Sequence, residues 1–365
     1  MKMKKMLIWG AGSLGEYFYG KYKKNFSRYF ELIGYVDLDK EKQGKLFCDT
    51  TVYAPEQIAG LNWDMILICV IKEEQYHEIF EYLQSVGVNK NRIANYFNGC
   101  GMGLLRDFFL EKYQDSNDPE IQDIVKYVQN HELSIFNMEL ERSREEYKVY
   151  CDAEGEDPYV QVNGKRLYYP KEFLDVKKTP FLKGIFDEQS KNSPHLYIPD
   201  GFAMKDNSVL VDAGAQGGEF SLSCIEQCKK IYIFECETEW CRALSKTFLP
   251  FRDKVKIIHS FLGKENNETT KTLDYFLKEP IDFLKMDVEG EEPNVLIGAR
   301  NVLSMSNAFC AVCSYHKPGE AEEIRNLLGR YGYHTEVSKG YMLFGWDDDF
   351  YQAMDVRRGM VYGRK

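Results

Sequence analysis

Asp212, Glu235, Asp287, Glu289 and His316 are the residues of this sequence best spaced for chemistry, and the first two frame a glycine turn. The stretch VLVDAGAQGGEFS, Val209 to Ser221, reads as a buried strand ending in Asp212. It passes through Gly214, Gly217 and Gly218 into a helix predicted over Glu219–Gln227. Glycines at such a turn let a ligand approach the backbone closely. About twenty residues on, the strand IYIFECE ends in Glu235, whose carboxylate can accept hydrogen bonds from both hydroxyls of a ribose. This spacing is that of a nucleoside-binding half-sheet. An acid directly before the turn would repel a pyrophosphate, but it suits a ligand with positive charge. S-adenosylmethionine carries a sulfonium, an ammonium and no phosphate, so the charges favour it over NAD.

The second group is LKMDVEGEEP, from Leu284. Strand alternation puts Lys285 and Asp287 on one side and Met286 and Val288 on the other. Asp287, Glu289 and Gly290 then lie at the carboxyl edge of the sheet, where open α/β folds bind ligands. Glu291 and Glu292 suit the start of the following helix. His316 follows the next strand, at the same edge. A histidine there can take a proton from a hydroxyl near neutral pH. A divalent metal held by Asp287 and His316 is the other expectation for this pair. Cys310-x-x-Cys313-x-x-His316 imitates a metal spacing, but alternation along a strand sends Cys310 and Cys313 to opposite faces.

The third group is WGAGSLG, in which Gly10, Gly12 and Gly15 spell G-x-G-x-x-G. Asp37 ends the next strand about 22 residues later, where a dinucleotide's ribose would be held. The pattern allows a nucleotide or nucleotide-sugar at this turn. It also keeps open an NAD(P)-dependent oxidoreductase or a non-catalytic nucleotide-binding protein. A dehydrogenase also needs a substrate domain with an acid/base constellation, and the chain after residue 100 does not offer one.

These residues require two sheets to hold them. The fold class expected is α/β, with two Rossmann-like parallel-sheet domains. Residues 1–100 alternate strand and helix signals, with strands at Lys5–Trp9, Leu32–Val36 and Met65–Ile71. Residues 101–200 read as a helical linker. Asp118-Pro119-Glu120 is a strong helix start, and one or two long helices are expected from there to about Tyr150. Asn163-Gly164 marks a hairpin over 159–169. From 201 to 365 the alternation resumes. It includes one helix running from Asp287 to about Leu303, and a closing antiparallel pair of His334–Val337 with Tyr341–Phe344.

The stretch from about Ser208 to Phe344 resembles the FkbM-type S-adenosylmethionine-dependent methyltransferases. DAGAQGGEFS resembles that family's Asp-x-Gly-Ala-Asn-x-Gly turn, and FECE its Phe-Glu-Pro segment. TLDYFL (Thr272–Leu277), LKMDVEGEEPNVLIGA (Leu284–Ala299) and CSYHKP (Cys313–Pro318) match later blocks in the same order. Gln216 stands for the usual Asn, Cys236 for the usual Pro, and Ser260 where Asn is common. The resemblance implies a seven-stranded class I methyltransferase sheet and O-methylation of a sugar, glycan, nucleotide-sugar or polyketide-type acceptor. It assigns the cofactor to Asp212, Gly214, Gln216, Gly218, Glu235 and Ser260, and the acceptor chemistry to Asp287, Glu289 and His316. The first hundred residues resemble Rossmann-like modules at the front of sugar-modifying transferases, with G-A-G-x-x-G followed by IGYVD.

Composition narrows the partners. The 365 residues are 44% apolar and 28% charged, with a formal net charge of -10. Such a charge works against nucleic acid and anionic lipid. The longest apolar run, Met65–Ile71, is too short to span a bilayer. The start MKMKKMLIWG enters the glycine turn without a small-residue cleavage site, so it reads as a strand and not a signal peptide. Ten cysteines without framework spacing fit reduced thiols in the cytoplasm. A small-molecule or glycan acceptor is expected, and a homo-oligomer is allowed.

Overall fold

The computed structural model describes residues 2–96, 101–140, 148–152, 157–171, 179–346 and 348–365. The chain divides into two compact units, one of residues 1–138 and 343–355, the other of 139–342 and 356–365.

The first unit is built on a six-stranded sheet. Its strands are β1 (Lys4–Trp9), β2 (Phe30–Val36), β3 (Leu46–Phe47), β4 (Thr50–Tyr53), β5 (Met65–Ile68) and β6 (Ile93–Asn95). They lie in the order β3-β4-β2-β1-β5-β6. All pairs are parallel except β3 with β4. The order reverses at β1, so the glycine turn after Trp9 sits at the switch point where ligands of such sheets bind. Helices α1 (Ser13–Lys21) and α2 (Glu73–Ser85) provide the crossovers. Gly10 has φ +118°, and a Cβ there would lie 2.3 Å from the Cys69 carbonyl oxygen. A Cβ on Gly15 would lie 2.1 Å from the Gly10 carbonyl, so α1 can pack on the turn only as glycine.

Helices α3 (Arg106–Tyr113) and α4 (Pro119–Val128) follow. Asp118 caps α4 by accepting from the Glu120 amide at 2.8 Å. Of the one or two long helices expected to about Tyr150, α4 ends at Val128. Arg106 closes it, donating to the carbonyls of Val128, Gln129 and His131 at 2.8, 2.6 and 3.2 Å. The rest of that expected helical stretch falls partly on residues 141–147, outside the described residues.

The second unit opens with a three-stranded antiparallel ribbon: β7 (Tyr150–Cys151), β8 (Pro158–Val162) and β9 (Lys165–Tyr168). Asn163 and Gly164 join β8 to β9, both with positive φ, at +49° and +76°. After α5 (Thr179–Glu188) comes the seven-stranded sheet, ordered β12-β11-β10-β15-β16-β18-β17. Its strands are β10 (Ser208–Ala213), β11 (Cys228–Glu235), β12 (Val255–His259), β15 (Phe283–Met286), β16 (Phe309–Cys313), β17 (His334–Val337) and β18 (Met360–Arg364). A separate short pair is β13 (Phe261–Leu262) with β14 (Thr270–Lys271). The five strands from β12 to β16 are parallel, and β18 is antiparallel to both its neighbours. The central strands β10, β15 and β16 are buried along their whole length, as parallel strands covered on both faces must be.

Three expectations change here. The partner of β17 is Met360–Arg364, not Tyr341–Phe344. Met342 makes only an isolated antiparallel bridge, to Arg357. From Leu343 the chain belongs to the first unit and returns only at Val356. The helix after Asp287 is two short ones, α9 (Glu292–Ile297) and α10 (Arg300–Met305). Gly298 separates them, and a Cβ there would lie 2.2 Å from the Gly263 carbonyl oxygen. The helix after the second glycine turn, α6, covers Glu219–Ser223 alone, ahead of α7 (Thr238–Thr247). The remaining helices of this unit are α8 (Leu273–Phe276) and α11 (Glu320–Arg330). Among the described residues, no helix is long and apolar enough to cross a membrane.

Candidate active site

A pocket of about 410 Å³ opens at the carboxyl ends of β10, β11, β12 and β15. Gly214, Ala215 and Gln216 form its floor beside Glu235, with Ser260 and Phe261 on one flank and Asp287 and Glu289 on the other. Gly214 has φ +78°, and a Cβ on it would lie 1.7 Å from the Asp287 carbonyl oxygen. The turn after β10 and the tip after β15 can therefore meet only through glycine. The Asp287 amide donates to the Ala213 carbonyl at 2.9 Å across the same junction.

Glu235 is fixed by backbone donors. The Gln216 amide donates to Oε2 at 2.8 Å, and the amides of Cys236 and Glu237 to Oε1 at 2.7 and 2.9 Å. Each carboxylate oxygen keeps acceptor capacity toward the pocket. Gln216 sits at φ +48°, a region that favours Asn among non-glycine residues. That preference gives a backbone reason for the Asn usual at this position in the family it resembles.

Asp212 is placed differently from the sequence expectation. It is fully buried beneath the turn, where Ser221 Oγ donates to it at 2.7 Å and Lys285 Nζ lies 3.1 Å away. Lys285 also donates to the Gly214 carbonyl. Asp212 is not on the pocket wall, so its charge neutralises a buried lysine that holds the turn. Burial alone would lower the Lys285 pKa, but Asp212 and Asp287 outweigh it and raise it. Gly218, at φ +81°, packs behind the wall, where a Cβ would lie 2.6 Å from a Leu244 methyl.

Asp287 is a hub. Tyr197 donates its hydroxyl to Oδ2 at 2.9 Å and Tyr315 to Oδ1 at 3.4 Å. His195 Nε2 lies 3.6 Å from Oδ2, and His316 Nε2 3.4 Å from Oδ1. Burial pushes the Asp287 carboxyl up, but His195, Lys285 and His316 hold it well below the usual range. Glu289, at φ +55°, leaves 83% of its side chain exposed, with Oε2 3.6 Å from His316 Nε2. The structure thus gathers Asp287, Glu289 and His316 at one edge.

The surroundings of His316 work against the general base expected of it. Its Nδ1 lies 3.0 Å from Glu292 Oε1, and its Nε2 faces Asp287 and Glu289. Burial would lower its pKa, but these carboxylates raise it to about 9, so the ring is an imidazolium near neutrality. A metal ligand needs a bare ring nitrogen. Asp287, Glu292 and His316 bring one ligand atom each within 4.8 Å of one another, so an ion at the expected Asp287 and His316 pair would have to displace the imidazolium proton. The His316 and Lys317 amides donate to Glu320 at 3.0 and 3.2 Å, and Arg357 donates to the His316 carbonyl at 2.7 Å. Glu188, His195 and Tyr197 were not singled out from the sequence. They come from the end of α5 and the irregular stretch SPHLYIPD, whose only signal was a histidine and a tyrosine between prolines.

In the first unit, Asp37 accepts from the Ala11 amide at 2.9 Å, from Lys42 at 3.1 Å and from the Asp39 amide at 2.9 Å. Gly10, Gly12 and Gly15 shape the turn, and nothing lies within 4 Å of a Cβ built on Gly12.

The sheet order and closing antiparallel pair of the second unit define a methyltransferase fold. Residues 231–335 match the family described as Methyltransferase FkbM domain. Residues 2–94 match C2185-like, N-terminal. The chain is similar in structure to the methyltransferase FkbM from Methylobacillus flagellatus KT. Identity is 13% over 99% of this chain and 90% of the other, with a TM-score of 0.51. Weaker likenesses include M. jannaschii TYW2 in complex with AdoMet (16% identity, 57% of this chain, 85% of the other, TM-score 0.35). UDP-D-quinovosamine 4-dehydrogenase from Vibrio fischeri matches at 24% identity over 26% of this chain and 78% of the other, TM-score 0.23. No curated protein matches the chain.

Proposed function

We propose that the second unit is an S-adenosylmethionine-dependent O-methyltransferase acting on a hydroxyl of a sugar or glycan. The observation that carries this reading is Glu235, pinned by three backbone amides on the wall of the pocket below the Gly214 turn. When bound, the cofactor supplies an electrophilic methyl group. Glu235 would take the ribose hydroxyls, with the backbone of Gly214–Gln216, Ser260 and Phe261 holding the rest of the cofactor. Asp287, held ionised, accepts a hydrogen bond from the acceptor hydroxyl and orients its oxygen along the line of transfer. Glu289, open to solvent, would take the proton that the acceptor hydroxyl gives up on methylation and release it to water. His316 orients Asp287 and Glu289 as a donor.

The acceptor's charge class follows from the wall. Beyond Glu235 it carries Glu188, Glu219, Glu237, Asp287, Glu289 and Glu291, against the ammonium of Lys285 alone among the described lining residues. Such a wall repels phosphate and accepts hydroxyls, which favours an uncharged sugar over a nucleotide-sugar. The test is calorimetry with S-adenosylhomocysteine on the full chain. Binding that falls at least tenfold in Glu235→Ala is expected; no binding by the intact protein overturns the reading.

A further inference from the structure

Behind the pocket wall three side chains of different chemistry converge. Asp287 follows β15 and Cys313 ends the neighbouring parallel strand β16, in a register that pairs Met286 with Val312. His195 arrives from the stretch before β10. Its Nε2 lies 3.3 Å from Cys313 Sγ and 3.6 Å from Asp287 Oδ2, and the three ligand atoms lie within 4.8 Å of one another. A tetrahedral zinc, at about 2.3 Å from sulfur and about 2.0 Å from nitrogen and oxygen, spaces its ligand atoms by about 3.5 Å. The observed separations already approach that figure.

The surroundings are those of a ligand set. His195 is 2% exposed and Cys313 fully buried. The other ring nitrogen of His195, Nδ1, lies 3.5 Å from Glu188 Oε2. A carboxylate behind the non-ligating nitrogen is the usual support of a metal-bound histidine. The rings of Tyr197 and Tyr315 each stand 5.1 Å from the imidazole and wall the cluster from water. The nearby Lys285 ammonium is occupied by Asp212 and the Gly214 carbonyl.

We propose that His195, Asp287 and Cys313 form a zinc site with Glu188 supporting the histidine. A thiolate, an imidazole and a carboxylate together suit a borderline-soft ion and not magnesium or calcium. Three protein ligands leave the fourth position for a further oxygen, the pattern of catalytic zinc. A cation there would stabilise negative charge on an acceptor oxygen near Asp287; that role, though not the site, rests on the methyltransferase reading.

The test uses the full chain, dialysed against chelator and titrated with zinc chloride by calorimetry, and with cobalt chloride by absorption. One zinc per chain and a thiolate-to-cobalt charge-transfer band are expected. Cys313→Ser should abolish the band and weaken zinc at least tenfold, and Glu188→Gln should weaken it about 10–100-fold. Cys310→Ser, on the opposite face of β16, should keep both. No stoichiometric zinc, or a band that survives Cys313→Ser, overturns the site. Should Cys313→Ser fail to fold by circular dichroism, His195→Gln must show the same loss of zinc or the site is refuted. S-adenosylhomocysteine titrated in parallel separates the two readings. Cofactor binding without zinc refutes the site alone, and zinc without cofactor binding refutes the cofactor reading alone.

Discussion

The two glycine turns of this chain share a construction. Each follows the strand at which its sheet reverses order, and in each the acid ending the next strand accepts a turn amide. Ala11 donates to Asp37 at 2.9 Å, and Gln216 to Glu235 at 2.8 Å. They differ in what surrounds the acid. Asp37 is also held by the Lys42 ammonium. Glu235 takes three backbone amides, and the loops after three other strands complete a pocket around it. The regular G-x-G-x-x-G belongs to the first turn, and the chemistry gathers at the irregular one. A glycine turn gives the backbone room; the side chains that other strand ends deliver make it a site.

Five substitutions can break or sharpen that comparison. The largest effect is expected for Gly214→Ala. The 1.7 Å approach to Asp287 and the positive φ should cost about 3 kcal/mol or more in urea unfolding and abolish S-adenosylhomocysteine binding. Next, Glu235→Ala should lose about 1.5–3 kcal/mol of that binding with the fold intact, while Asp37→Ala leaves it unchanged in calorimetry. An equal loss in both would erase the distinction between the turns. Third is a pH effect confined to the second unit. Burial and the neighbouring Glu292 raise the Glu320 carboxyl to about 8, so the folded chain binds its proton more tightly than the unfolded one. This contribution is present below about pH 4.5 and is lost as pH rises to about 8. Glu320→Gln should therefore flatten the fall in unfolding free energy across that window, by on the order of 2 kcal/mol at its upper end, as urea unfolding at each pH would show. The smallest effect is expected for Gly12→Ala, which meets open space and should stay within about 0.5 kcal/mol of the parent. A large loss there would show that the first turn is as crowded as the second.

Much of this site was legible because strands alternate and end predictably. Asp287 and Glu289 follow β15, and Glu235 ends β11, as the period of two required. Asp212 was correctly placed at a strand end but misread, because its partner Lys285 lies 73 positions away in sequence. Alternation along one strand cannot show a pairing with another. The role of His316 was hidden for the same reason. Its charge depends on Glu292 folding against Nδ1, which no local pattern encodes. His195 and Tyr197 sit in an irregular stretch with no period at all. The closing strand was misassigned because Tyr341–Phe344 and Met360–Arg364 are both short, apolar and aromatic. Only the long-range pairing with β16 separates them.

That closing strand has a consequence for assembly. β18 lies between β16 and β17 in space, yet it is the last of the seven to be synthesised. Before residue 364 leaves the ribosome, β16 has an open edge and β17 has no neighbour to pair with. Between them in time comes the segment 343–355, which belongs to the other unit. The methyltransferase sheet therefore closes only after the chain has visited the first unit and returned. A chain stopped at Met342 would contain the whole matched stretch 231–335 and still expose a bare sheet edge, the kind that invites aggregation.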